Sequence, residues 1–211
     1  MEVLSTLDQK ISPAHTAVVV IDMQNDFCDE KGFVATRRGT DLTDTRAIIP
    51  KLVELLDTAR KVKAKVVLVH MSTSDDDLTG PIMDRLKRVN ASERTCPEGS
   101  WGAELIPEIV LEEDDIMVYK NRYSAFIKSD LDKRLKSMGI KTLIMTGVAT
   151  NVCVESTARD GYMLDFYIVV PEDLVACAHK ELQDISIRNL GSYFATITSS
   201  KEIMDTWAIR S

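Results

Sequence analysis

Aromatic side chains make up only 6% of this 211-residue sequence, and glycine (9) and proline (6) are scarce. That scarcity excludes a collagen-like repeat and argues against long low-complexity linkers. The four cysteines, Cys28, Cys96, Cys153 and Cys177, form no CxxC pair and no regular framework, which excludes a disulfide knot. The three histidines (His15, His70 and His179) are scattered, so a zinc site built on them would need carboxylates or thiols from far along the chain. No apolar run reaches the length of a membrane-spanning helix. Met1 to Ile11 is polar, carries three charged side chains and contains no secretory core; the expected setting is cytoplasmic. A basic excess is lacking too: 26 Lys and Arg stand against 33 Asp and Glu, a net charge of −7. An acidic surface repels a phosphate backbone and an anionic membrane, so no nucleic acid and no membrane is expected as a partner.

What is present reads as an ordinary globular domain. Apolar residues make up 45% and charged residues 28%, close to the soluble average. A single fold of this length hides roughly 70% of its unfolded surface and needs neither disulfide nor metal to hold together. Residues 1–14 read as a polar arm and 15–211 as one domain, with no internal repeat. Short apolar runs rich in β-branched residues predict buried strands at Ala17–Ile21, Lys65–His70, Asp115–Lys120, Thr142–Val148, Asp165–Val170 and Phe194–Thr198. Between them, helical spacing predicts helices over Asp41–Ala64 (Ile48, Leu52, Leu55, Leu56 and Ala59 on one face), Ile82–Val89, Ser129–Met138, Asn151–Met163, Lys180–Leu190 and Lys201–Trp207. Ala103–Val110 reads as one or two further helical turns. Strands alternating with helices predict an α/β fold: a parallel sheet of six strands with helices on both faces. The long irregular stretch Met71–Gly102 has the length of a lid or binding loop.

Ligands of such sheets bind beyond the carboxyl ends of the strands. There the sequence places Asp22 after the first strand, Lys120 at the end of the third and Cys153 shortly after the fourth. Cys153 falls in the first turn of a helix, where free N–H groups and the helix dipole favour a thiolate and can hold an oxyanion. Asp22 suits a general base. Lys120 would favour the ionised forms of both. Singly, each has a plainer reading: a small buried hydrophobe, a helix cap, a snorkelling lysine. Their convergence on one sheet edge favours catalysis. His70 also ends a strand but reads as a core histidine, and Arg37-Arg38 as a solvated pair. Phe27, Trp101 and Tyr123 could form an apolar wall for a substrate, or plain core.

The segments VVVIDMQNDFC, VYKNRYSAF and TGVATNVCVESTARDGY resemble, in order, the three signature regions of the isochorismatase-like cysteine hydrolases. KNRYSAF and GVATNVCVEST carry a narrower likeness to the ureidoacrylate (peroxyureidoacrylate) amidohydrolase branch. The resemblance implies a single-domain Rossmann-like α/β/α sandwich and a catalytic triad of Asp22, Lys120 and Cys153. It implies a cis peptide at Val148–Ala149 and an oxyanion hole from the Ala149 and Cys153 N–H groups. Gln24, Asn25 and Tyr123 match positions near the pocket in relatives, so they are expected substrate contacts. The implied reaction is metal-independent hydrolysis, without a cofactor, of a small amide or ureide through an acyl-enzyme. Nicotinamidases carry an Asp/His metal site after the second strand; here HMSTSDDDLTG offers one histidine. True isochorismatases lack the cysteine. Hydrolysis of another small amide (biuret-, nicotinamide- or streptothricin-type), a silent binding protein and a redox-sensing thiol protein stay open. Relatives are commonly homodimers or homotetramers, and the Met71–Gly102 stretch is expected to set substrate choice.

Overall fold

A computed structural model describes residues 3–89 and 94–209; the ends of the chain and part of the long connection, residues 1–2, 90–93 and 210–211, lie outside the described residues. The chain opens with α1 (Leu7–Lys10) and β1 (Thr16–Ile21), followed by the short helices α2 (Asn25–Cys28), α3 (Phe33–Arg38) and α4 (Thr43–Ala47). The long α5 (Ile49–Lys61) leads to β2 (Lys65–Met71), α6 (Gly80–Arg88), β3 (Ile116–Lys120), α7 (Leu131–Ser137) and β4 (Thr142–Val148). Then come α8 (Glu155–Met163), β5 (Tyr167–Pro171), β6 (Val175–Ala176), α9 (Lys180–Tyr193), β7 (Ala195–Thr198) and α10 (Ser200–Ala208).

The strands form one sheet in the order β3-β2-β1-β4-β5-β7, with β6 paired to the end of β4. Every pairing is parallel. The sheet therefore has seven strands, where the sequence suggests six. The two-residue β6 has no run long enough to stand out; it exists because β4 offers it a free edge beyond β5.

Alternation along β1 divides the core. Val18 and Val20 pack with Leu52, Leu55 and Leu56 of α5 and with Ile203 and Trp207 of α10. Ala17, Val19 and Ile21 pack with Leu131 and Leu135 of α7, Ala158 of α8 and Leu190 of α9. Helices thus cover both faces, as parallel strands require.

Three local readings need correction. The helix expected over Asp41–Ala64 is broken at Ile48 into α4 and α5, because Pro50 belongs at the start of a helix, not within one. The helical turns expected over Ala103–Val110 reduce to a single tight turn, in which Ile109 N donates to Ile106 O at 3.0 Å. Only Trp101–Ala103 forms a 3-10 turn, and the following residues lie against the first strand end: Asn25 N donates to Glu104 O and Ile106 N to Met23 O. The stretch read as a polar arm is anchored. A capping box at Thr6 and Gln9 starts α1, Ile11 is fully buried, and its carbonyl accepts a 2.7 Å hydrogen bond from Trp207 Nε1 of α10.

Candidate active site

Asp22 follows the last residue of β1 with a φ of 52°, a left-handed conformation that aspartate tolerates better than most side chains. The bend is pinned on both sides: Asp22 N donates to Val69 O at 3.0 Å, and Asp22 O accepts from Gln24 N at 2.8 Å. Lys120 closes β3, two strands away, and its flexible stem carries the ammonium past the end of β2. Nζ donates to Asp22 Oδ2 at 2.8 Å, to the Arg122 carbonyl at 3.2 Å and to Cys153 Sγ at 3.4 Å. Cys153 arrives from the far side. After β4, Gly147 sits at φ 98° against β1, where any side-chain carbon would collide with the Ile21 carbonyl. The Val148–Ala149 peptide is cis, and a wide π-helical turn, Thr150–Val154, carries the cysteine into α8. The fold thus brings Asp22, Lys120 and Cys153 within reach of one another at a buried point.

Burial sets the electrostatics. Desolvation raises the Asp22 carboxyl above its ordinary range, although the Lys120 charge opposes it. Desolvation presses Lys120 down, but the Asp22 carboxylate and then the Cys153 sulfur outweigh it, and the ammonium is held. Burial, followed by the Asp22 charge, pushes the Cys153 thiol up. This corrects the expectation that the helix start alone favours a thiolate: burial and the neighbouring Asp22 charge both work against ionisation of the sulfur. Asp22 Oδ1 has no hydrogen-bond partner among the described residues, and the Cys153 thiol is a neighbouring group able to donate to it.

Asp22 and Cys153 open onto a cavity of about 420 Å3, which Ala149, Phe27 and Tyr123 also line. Gln24, Asn25 and Trp101 do not line it. The Gln24 amide is consumed by backbone: it donates to Met71 O (2.8 Å) and Ala103 O (2.6 Å) and accepts from Met71 N (2.8 Å). Asn25 Nδ2 donates to Trp101 O at 2.9 Å, and Trp101 stands half-exposed on a separate surface depression beside Phe33 and Pro97. Both amides tie the chain after β1 to the long connection and so hold Asp22 in place. His70 is buried, packs edge-on to Tyr119 and lines a different cleft. The cavity also takes in Arg38 and Arg85. Arg37-Arg38 reads from sequence as a solvated pair and Arg85 carries no signal, because their separation along the chain leaves nothing local to link them. Among the described residues no cluster of three or more His, Cys, Asp or Glu could hold a metal ion, and no helix is long and apolar enough to cross a membrane.

Comparison with known proteins places this geometry in context. The isochorismatase domain family matches residues 16–202. The chain is 34% identical over 209 residues to the ureidoacrylate amidohydrolase RutB of Enterobacter sp. (strain 638), covering 92% of this chain and 90% of that protein. Among solved structures, a cysteine hydrolase from Pseudomonas syringae pv. phaseolicola superposes with a TM-score of 0.81 at 26% identity, over 96% of each chain. The N-carbamoylsarcosine amidase from Thermoplasma acidophilum gives a TM-score of 0.71 at 29% identity, over 88% of this chain and 96% of its own.

Proposed function

The chain belongs to the isochorismatase family, and from that premise we propose that it is a cysteine amidohydrolase that cleaves a C–N bond of a small linear amide or ureide of the ureidoacrylate or N-carbamoyl type. The observation that carries this reading is the single ammonium of Lys120, 2.8 Å from the Asp22 carboxylate and 3.4 Å from the Cys153 sulfur. Relatives named for ureidoacrylate and for N-carbamoylsarcosine support the substrate class.

In this mechanism Asp22 Oδ1 takes the thiol proton as Cys153 Sγ attacks the substrate carbonyl. Asp22 is suited to the task because burial raises its pKa above the ordinary carboxylate range, which strengthens it as a base. Lys120 does not titrate in the cycle; its charge stabilises the carboxylate first and the thiolate as it forms. The tetrahedral oxyanion is received by the N–H groups of Ala149 and Cys153, and each such donor contributes about a hundredfold or more in rate. Asp22 returns the proton to the departing nitrogen, which leaves as amine or ammonia, and a thioester remains on Cys153. A water molecule, deprotonated by Asp22, attacks that carbonyl; the S–C bond breaks, the acid leaves and the thiol is restored. A cytoplasmic setting fits four unpaired cysteines. Assembly as a homodimer or homotetramer is carried over from the resemblance and is read by sedimentation equilibrium.

The test is Cys153→Ala. It is expected to lower ammonia release from ureides and linear amides by at least about a thousandfold while leaving the circular dichroism spectrum and melting temperature in place. Iodoacetamide is expected to label Cys153 stoichiometrically, and substrate to block it. A Cys153→Ala protein that turns over at the native rate would overturn the mechanism. A native protein inert on every amide but able to bind one of them tightly would make the chain a binding protein.

A further inference from the structure

We propose that Arg38 and Arg85 form an anion-binding subsite in the Cys153 cavity that holds the substrate's carboxylate, at the end remote from the scissile carbonyl. The inference rests on the hydrolase reading of the same cavity, whose ureidoacrylate-type ligands carry a carboxylate, and adds the residues that hold that group.

The two arginines come from different elements. Arg38 closes α3 and is exposed; Arg85 lies in the last turn of α6 and is half-buried. Cations suit the last turn of any helix, which explains their presence but not their convergence on one cavity. Their neighbours give the contrast that matters. Around α6 the other arginines have acidic partners: Arg88 pairs with Asp84 at 2.9 Å, Arg94 with Asp75 at 2.6 Å, and Arg122 faces Asp77 at 3.9 Å. Among the described residues neither Arg38 nor Arg85 is in an ion pair with a carboxylate. Arg38 lies over the Phe33 ring at 5.4 Å and Arg85 over the Tyr123 ring at 5.9 Å; ring faces orient a guanidinium without neutralising it.

The pair also repels itself. Although Arg38 is exposed overall, partial desolvation of its guanidinium, followed by the Arg85 charge, lowers its pKa. Of the described residues lining the cavity, the sole carboxylate is Asp22, already held by Lys120. In a protein with a net charge of −7, two cations that have no carboxylate partner among the described residues thus share the lining of one cavity. A guanidinium pair matches a carboxylate by charge and by forked geometry. A ligand with an anionic tail would quench the repulsion, and its other end would lie toward Cys153.

The experiment compares 3-ureidopropionate with butylurea, a neutral chain of similar length, on the native protein and on Arg38→Gln, Arg85→Gln and the corresponding Lys variants. For 3-ureidopropionate the Gln variants are expected to raise KM roughly tenfold to a hundredfold with kcat changed little, and lysine to restore part of the loss. For butylurea the same substitutions are expected to change neither constant. Because this readout needs turnover, binding of both compounds to Cys153→Ala is measured by calorimetry as well. The carboxylate compound should bind more tightly, less so at high salt, and lose that advantage when both arginines become Gln. Equal binding of the two compounds, or an advantage that survives the double substitution, would overturn the proposal. Absence of turnover on either compound, with the arginine-dependent binding intact, would instead count against the hydrolase reading alone.

Discussion

Lys120 shows how much of the site depends on one side chain. It is fully buried, as is its partner Asp22, and it touches both of the other reactive groups. Lys120→Met keeps the apolar stem but strands a carboxylate away from water. Leaving one half of a buried ion pair costs about 3–5 kcal/mol, so urea unfolding should show a loss of that order, with turnover abolished. The double variant Asp22→Asn/Lys120→Met removes both charges and is expected to be more stable than Lys120→Met alone, the sign of coupling that a double-mutant cycle detects. If Lys120→Met alone is as stable as the native chain, the ammonium is not what makes Asp22 tolerable in the interior.

At the scale of elements, α8 and α9 are joined through Glu155. Its carboxylate accepts from Arg159 Nη2 at 2.6 Å on its own helix and from Ser186 Oγ (2.5 Å) and Asn189 Nδ2 (3.0 Å) on α9. Burial alone would raise its pKa, but the bonds from Ser186, Arg159 and Asn189 outweigh it, and the carboxyl lies below the ordinary value of 4.5. The sign follows: a depressed carboxyl stabilises the fold above its unfolded pKa, and that contribution is lost as pH falls below 4.5 toward the folded value. Glu155→Gln should lower stability at neutral pH and flatten this part of the acid slope, read by urea midpoints across the range. The sequence made some elements legible and hid others for physical reasons. The β1 run is apolar on both sides because both faces are covered, so it stands out. The α4–α5 break is hidden because the apolar period continues through Ile48. α3 was not read because FVATRR has no apolar period long enough to register. The convergence of Asp22, Lys120 and Cys153 was legible because strand ends converge by topology. Gln24 and Asn25 misled because position near a site does not say whether an amide is already bonded to backbone, and Arg38 and Arg85 meet only through tertiary structure.

Across the whole molecule, the segment at Ile11 and α10, far apart in sequence, close on each other. Trp207 is fully buried in the face that α5 and α10 share, and its indole N–H reaches the Ile11 carbonyl. Trp207→Ala should cost about 3–5 kcal/mol through cavity formation and lost packing. Trp207→Phe keeps most of the apolar contact but leaves the buried carbonyl unpaired, a loss of about 1–3 kcal/mol. Thermal melts rank the two, and turnover at low temperature should survive both, since the Asp22–Lys120–Cys153 cluster lies at the carboxyl ends of the central strands. That separation extends to the cavity itself. Asp22, Lys120 and Cys153 are rooted in or beside the sheet, whereas Arg38 and Arg85 hang from peripheral helices whose loss of a side chain leaves the strands untouched. On the proposal made above, exchanging α3 and α6 would therefore retool which ligands the cavity holds while the residues at the strand ends stay in place.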